Sequence, residues 1–330
     1  MVTKIWDNPE VFNIQVELPD NPLRNLNSYV IRTPERSLVI DTGFNRPECR
    51  ETLWHGLDEL CLDYSKTGLF LTHIHSDHIG LVWDFVDRGI PVYMGATEYD
   101  YYNRTFSVGF AKKINPIFAQ GGMPQEMIAR QDTGNQGRLY APLPGFPVYP
   151  LKDGQCLSLG KVVLQAVCTP GHTPGHTVLY LPNEKLLFSG DHILFDITPN
   201  ISVWPDVPHS LSDYIASLIK IRALDIRATF PAHRSVGEGD TYHRIDQIIE
   251  HHGHRLDEIY QAVCSHPNCT PFELAGYIKW SAHGMAWEDF PPHQCWFATG
   301  ETMAHLVYLK EKERVLCSNV DGQDRYFPVS

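Results

Sequence analysis

The segment Thr72-His73-Ile74-His75-Ser76-Asp77-His78 places three imidazoles and a carboxylate in the spacing H-x-H-x-D-H, directly after the apolar run Gly68 to Leu71. In extended chain, residues two apart point to the same side, so His73 and His75 can converge on one ion. Asp77 and His78 follow once the chain has turned, which lets them face a second ion a few ångströms away. A solvated loop after a strand would hold one or two such residues; four in this order read as a metal-ligating segment. Imidazole with carboxylate suits zinc, and two-metal hydrolytic sites need roughly six or more ligands around ions about 3.5–4 Å apart. The heptapeptide supplies at most four. The rest must come from other parts of the chain.

Three segments stand in the right place. Thr169-Pro170-Gly171-His172-Thr173-Pro174-Gly175-His176 follows the β-branched run Val162 to Val167; Ser189-Gly190-Asp191-His192 follows Lys185 to Phe188; and Phe230-Pro231-Ala232-His233 closes a run beginning at Ala228. In each, a short apolar strand delivers an acid or imidazole at a Gly- or Pro-shaped turn where backbone can approach an ion closely. The eight cysteines form no C-x-x-C pair and no G-x-S-x-G elbow is present, so neither a disulfide framework nor a serine nucleophile competes with the metal reading.

The elements that must position these residues are legible as well. Val11 to Val16, Asn27 to Arg32 and Ser37 to Ile40 alternate between turn residues and predict an antiparallel meander; Glu51 to Leu60 predicts a helix; Thr177 to Leu181 is a further strand. Residues 95–145 lack the strand period and contain amphipathic stretches such as Phe106 to Phe118, so they read as a partly helical insertion bordering the site. From Tyr242 to Val263 apolar residues recur at helical spacing. Thr270-Pro271-Phe272-Glu273 forms a capping box opening a helix through about Trp280, a further helix runs from about Ala298 to Lys312, and a hairpin turns at Asp321-Gly322. The expected organisation is a catalytic domain over 1–240 and a winged-helix-like module over 241–330.

Composition narrows the function. The 330 residues carry 27 Lys and Arg against 39 Asp and Glu, a net charge of −12, which opposes general affinity for nucleic acid or anionic membranes. From Arg255 onward six cationic residues face ten acidic ones, so a DNA-reading role for the C-terminal module is disfavoured against packing, dimerisation or shaping of a pocket. No basic patch leads into an apolar core at the N-terminus, and no apolar run is long enough to cross a bilayer; a cytoplasmic location is the default expectation. His251, His252 and His254 read as a solvated helix face.

These four segments, preceded by Leu38-Val39-Ile40-Asp41-Thr42-Gly43, in this order resemble the metallo-β-lactamase superfamily of binuclear metal hydrolases. That resemblance covers about residues 10–240 and implies a four-layer αββα sandwich of α/β class. It implies that His73, His75 and His172 hold a first ion, that Asp77, His78 and His233 hold a second, and that Asp191 bridges them, with Asp41 supporting the ligands from behind. Asp191 and His78 bring the set closer to glyoxalase II-like hydrolases than to true β-lactamases, whose second site uses a cysteine; Cys168 does not occupy that position. His176 and His192 are expected beside the ligands rather than among them. The stretch Asp191 to Ser202, with Trp204-Pro205, resembles a subgroup related to β-lactamase-like protein 2 that carries a C-terminal winged-helix-like domain, and this extends the likeness to nearly the whole chain.

The expected chemistry is hydrolysis by a hydroxide shared between two divalent ions, most readily zinc, with manganese or iron also suited to the donor set. Asp77 would orient that oxygen and carry its proton, and Asp191 would bridge. A small-molecule thioester, ester or lactone is the expected substrate class. A phosphodiesterase or ribonuclease is the alternative, and a metal-sensing DNA-binding regulator the non-enzymatic one. A homo-oligomer formed through the C-terminal module is compatible with its aromatic content.

Overall fold

The computed structural model describes residues 2–237, 239–280 and 285–329. Two sheets stack face to face. The first has seven strands in chain order, β1 (Val2–Asp7), β2 (Glu10–Glu17), β3 (Asn25–Arg32), β4 (Ser37–Ile40), β5 (Thr67–Leu71), β6 (Val92–Gly95) and β7 (Tyr149–Leu151). Its first four strands are antiparallel and its last three run parallel to β4. The second sheet has five, β8 (Cys156–Leu159), β9 (Val162–Cys168), β10 (Thr177–Leu181), β11 (Leu186–Gly190) and β12 (Ala228–Pro231), ordered β12-β11-β10-β9-β8. The remaining strands, β13 (Val315–Val320) and β14 (Gln323–Pro328), form the C-terminal hairpin.

Because successive side chains leave opposite faces of a strand, these sequences can supply two cores at once. In β3, Tyr29 and Ile31 enter the cluster between the sheets with Leu164, Leu179, Phe188 and Phe230, while Leu26 and Val30 face an outer helical layer. That layer contains α1 (Pro47–Glu59), α2 (Ser76–Ile79) and α3 (Val82–Val86), packed through Leu53, Leu57 and Phe85. Burial on both faces explains why β4 and β5 read as unbroken apolar runs. On the other side, Val178 and Leu187 meet α8 (Ser210–Arg222) and α9 (Thr241–Ser265) through Leu211, Leu218, Ile221, Ile245 and Ile248. The order helix, sheet, sheet, helix is the expected αββα sandwich, and its last layer takes side chains from both sides of residue 240.

The stretch 95–145 folds into α4 (Ala96–Phe106), α5 (Phe110–Gln120), α6 (Gln125–Gly134) and α7 (Gln136–Leu139). It does not stand alone: Ile114, Phe118, Met123 and Ile128 share a core with Phe290, Cys295 and Trp296. The last two of these belong to α11 (Pro292–Glu311), preceded by α10 (Pro271–Ala275). The capping box at Thr270 and Glu273 forms as expected, but α10 stops at Ala275 rather than near Trp280. The Trp280 indole N–H donates to the Ala275 carbonyl at 2.8 Å, closing the helix end at the Gly276 turn. Among the described residues no helix is long and apolar enough to cross a membrane.

One expectation about α9 is corrected. His252 is not on a solvated face: it is fully buried between Tyr214 and His305, with its Nδ1 3.1 Å from His305 Nε2, because the adjacent α11 covers that face. His305 Nδ1–H in turn donates to the Glu301 carbonyl at 2.7 Å. Burial pushes His305 down to about 3 and His252 well below its usual range, so both are neutral in the fold.

The unfolded chain takes up these protons as pH falls below about 6.5, whereas the folded chain does not, so stability is present above that pH and is lost below it. Replacing His305 by Gln, which can make both hydrogen bonds, should flatten the dependence. Urea unfolding should show the difference between about pH 7.5 and pH 5.5 shrinking by about 1 kcal/mol in the variant; an unchanged slope would mean that His305 is not held neutral.

Candidate metal centre

The candidate residues lie where strands β4, β5, β9, β11 and β12 end. Their directions agree, since β4 and β5 are parallel, as are β11 and β12, and the antiparallel partner β10 returns β9 to the same sense. His75 sits at the N-terminus of α2, and Asp77 and His78 lie in its first turn. The helical turn brings these two side chains together with His233, although the His78 ring stays 3.9 Å from that of His73. Gly171 adopts φ +135° before His172, where a Cβ would lie 2.4 Å from the Tyr214 backbone. Only glycine permits that approach.

Two groups of converging donors result: His73, His75, His172 and Asp191 in one, and Asp77, His78 and His233 in the other. In the first, His75 Nδ1 is 3.0 Å from both His73 Nε2 and His172 Nε2, and Asp191 Oδ2 lies 3.5 Å from His172 Nε2. In the second, His233 Nε2 is 3.4 Å from Asp77 Oδ2. Asp191 Oδ1 is 3.4 Å from that same nitrogen and 3.6 Å from His78 Nε2. Asp191 therefore offers one oxygen to each group.

The opposite ring nitrogens show which lone pairs are free. His78 Nδ1–H donates to Asp41 Oδ2 at 2.8 Å, His172 Nδ1–H to the Asn200 carbonyl at 3.0 Å, and His233 Nδ1–H to the Asn25 carbonyl at 2.9 Å. Each ring thereby turns its Nε2 inward, the arrangement of a metal-ligating histidine. Buried His78 Nε2, His233 Nε2 and Asp191 Oδ1 have no hydrogen-bond partner. Donors about 2.0–2.1 Å from one tetrahedral ion lie about 3.3 Å apart, close to the spacings here. The donor set fits divalent cations.

Electrostatics agree. Burial holds His73, His75 and His172 below the usual imidazole range, His75 down to about 3, so all three are in the neutral form a metal needs. Burial alone would also lower His78 and raise Asp77, yet His78 is lifted by Asp77, Asp191 and Asp41, and Asp77 is held down to about 2 by His78 and His233. The second group calls for positive charge at its centre.

The supporting residues are placed as follows. Asp41 accepts Thr72 N–H and Thr72 Oγ1–H as well as His78, tying β4 to the ligand loop. His176 is buried with its Nε2 3.3 Å from the Asp191 amide. His192 turns aside, its ring 5.2 Å from that of Tyr214, and joins neither group. The reading of the sequence missed Glu98. This buried carboxylate accepts Ile74 N–H at 2.9 Å, Gly175 N–H at 2.5 Å and the Thr173 hydroxyl at 2.5 Å, joining the loops of His73, His75 and His172. No motif marks it; only the fold brings it there. Trp204 stacks on His75 at 5.7 Å and Phe110 of the insertion packs on Trp204, so residues 95–145 do reach the mouth of the site.

The model of the metallo-beta-lactamase superfamily matches residues 22–233, a span containing every donor described above. The chain belongs to that superfamily. A beta-lactamase-like protein 2 homolog from Drosophila melanogaster is 28% identical over 310 residues, 92% of this chain and 88% of the relative. An atrochrysone carboxyl ACP thioesterase from Aspergillus fumigatus is 24% identical over 248 residues, 75% of this chain and 46% of that protein. This chain matches about half to two thirds of the length of several fungal relatives. A crystal structure of a metallo-beta-lactamase family protein from Thermus thermophilus superposes with a TM-score of 0.81 at 27% identity, covering 97% of this chain and 98% of that one. The likeness therefore includes the C-terminal helical region, as the sequence resemblance implies.

Removing Glu98 tests the joint between the two ligand loops. Glu98→Ala would strand two buried amide donors and a hydroxyl, each costing about 1–3 kcal/mol. The expected outcome is a loss of about 3 kcal/mol or more in the unfolding free energy, read from the urea midpoint at constant slope.

Proposed function

We propose that this protein is a metal-dependent hydrolase that binds two divalent ions, most readily zinc, and cleaves a small-molecule thioester, ester or lactone. The observation that carries the reading is the Asp191 carboxylate, whose two oxygens face two separate groups of converging donors. Five imidazoles and two carboxylates form a borderline donor set, suited to zinc and open to manganese or iron. Cations held there would supply Lewis acidity and make water a nucleophile near neutral pH.

The chain's own residues have distinct tasks in this reading. His73, His75 and His172 bind on one side, and Asp77, His78 and His233 on the other. Asp77 Oδ2 stands at the junction, 3.4 Å from His233 Nε2 and 3.7 Å from His78 Nε2, where it can orient the attacking water and take its proton. As the water oxygen adds to the acyl carbon the carbon–sulfur or carbon–oxygen bond breaks, and the proton passes from Asp77 to the leaving group. Trp204 and Phe110 give the mouth an aromatic wall that favours an apolar portion on the substrate.

Support for a thioester comes from the thioesterases among the relatives and from the acidic surface, which opposes a nucleic-acid substrate. Residues 1–240 carry the donors in this reading and 241–330 brace them. The protein acts inside the cell on a small molecule.

Protein purified without added metal should contain close to two equivalents per chain. Asp191→Ala should lose both together with turnover while keeping its circular dichroism, with a urea midpoint lowered toward that of metal-stripped wild type. A panel of thioesters, lactones, phosphodiesters and β-lactams should show thioester or lactone hydrolysis; turnover confined to phosphodiesters would overturn the substrate assignment, and wild-type turnover in Asp191→Ala the mechanism.

A further inference from the structure

His172 differs from His78 and His233 in what stands behind it. His78 leans on Asp41 at the end of β4, and His233 on the backbone of Asn25 at the start of β3. His172 leans on the segment 199–204, which belongs to neither sheet: the Asn200 carbonyl accepts its Nδ1–H at 3.0 Å, and the Trp204 indole donates to its own carbonyl at 3.1 Å. A ring held by an irregular segment is only as well placed as that segment, and α11 fixes it. The Asn200 side-chain amide donates to Glu301 Oε2 at 2.9 Å, while Glu301 Oε1 accepts Arg255 Nε–H at 3.2 Å. Arg255 donates in turn to the Lys279 carbonyl and to Glu258, and its guanidinium lies 4.3 Å over the Trp280 ring. Next to Glu301, Gly300 brings the α11 backbone against the same segment: a Cβ there would lie 2.2 Å from Ser202 Oγ.

We propose that Glu301 is a positioning residue for His172, setting the imidazole through Asn200, so that the C-terminal helices control metal affinity at the His73, His75 and His172 group. The proposal rests on the reading of these residues as metal ligands. Glu301 and Arg255 are each only 8% exposed. A buried ion pair recovers little net stability against an apolar pair of the same size, so stability gives a weak reason for its presence. Here its carboxylate has a second task. It is the acceptor that fixes the Asn200 side chain, and with it the direction of the adjoining carbonyl. The route is selective, since nothing in it touches Asp41 or Asn25 behind the other group. Partners behind a ligand are worth about 10–100-fold in metal affinity.

The test uses the full-length protein and cobalt(II), with a competing chelator to separate two binding steps and the visible spectrum to report coordination. Glu301→Gln turns an amide N–H toward either Asn200 or Arg255, and Asn200→Asp sets two carboxylates against each other. Each should weaken one step about tenfold or more and alter its spectrum, leaving the other step within about threefold. The double variant reverses the hydrogen bond, with the amide at 301 donating and the carboxylate at 200 accepting, and leaves the amide oxygen for Arg255. It should restore the weakened step to within about threefold of wild type, an outcome a merely structural role does not produce. Equal weakening of both steps, no weakening in either single variant, or a double variant no better than its parents would each overturn the proposal. His172→Ala separates the two levels. If it binds both equivalents as wild type does, the ligand reading itself fails; if it loses one step while the Glu301 and Asn200 variants keep both, only the positioning role fails.

Discussion

Five imidazole nitrogens and the oxygens of two carboxylates are packed within a few ångströms of one another, largely away from water and with their lone pairs turned inward. Such an arrangement is self-repelling unless positive charge occupies its centre, because a buried lone pair that faces another has lost its water and gained nothing. The surrounding structure can be understood as the means of holding this set in place. Two sheets buried on both faces give strand ends that do not move with respect to one another, and ligands placed on those ends inherit their rigidity.

That rigidity is reinforced across the sandwich as well as within one sheet. Asn25 and Asp41 lie on the first sheet, yet Asn25 orients His233 from the second, while Glu98, after β6, holds the turn that carries His172. Tyr29 of β3 likewise donates its hydroxyl to the Pro231 carbonyl at 2.6 Å. The second-sheet ligand loops are therefore fixed by contacts from the first sheet. Slippage between the sheets would pull the ligands apart, and the aromatic packing of Tyr29, Phe188 and Phe230 opposes it.

How much of this was legible in the sequence depends on whether a residue's role is set locally. His73, His75, Asp77 and His78 could be read because strand and helix periodicity orient them within seven residues, and the resemblance carried His172, Asp191 and His233 to the right strand ends. The strands β3, β4, β9 and β10 were legible for the same reason. The short β6 and β7 were not: their few residues are ordered by neighbouring strands, and Pro150 in β7 reads as loop. Helix α8 carries Leu211, Tyr214, Leu218 and Ile221 at helical spacing, a signal present but obscured by the Pro-rich stretch before it. Glu98, Asn200 and Glu301 had no local mark, since a carboxylate on a helix is ordinarily solvated. His252 misled for the complementary reason: its helix was read as an isolated surface, and the burial comes from α11, some fifty residues away in sequence.

The C-terminal helices hold the insertion and the donor set in one frame. Along α11, Cys295 and Trp296 pack on the insertion through Ile114 and Phe118, Glu301 reaches Asn200 behind His172, and His305 meets His252 on α9. These contacts succeed one another along a single helix, so displacing α11 would disturb the wall of the mouth and the support of a ligand together. A module attached only for solubility or for a distant partner would not need buried polar contacts on that face, and the cost of leaving Glu301 or Arg255 unpaired would select against them. The net acidic charge of the region argues against a nucleic-acid partner, and its aromatic residues are largely committed inward: Phe290 and Trp296 are buried, while Phe297 is half exposed. The wall of the mouth and the placement of the His172 ring are thus mechanically joined through α11.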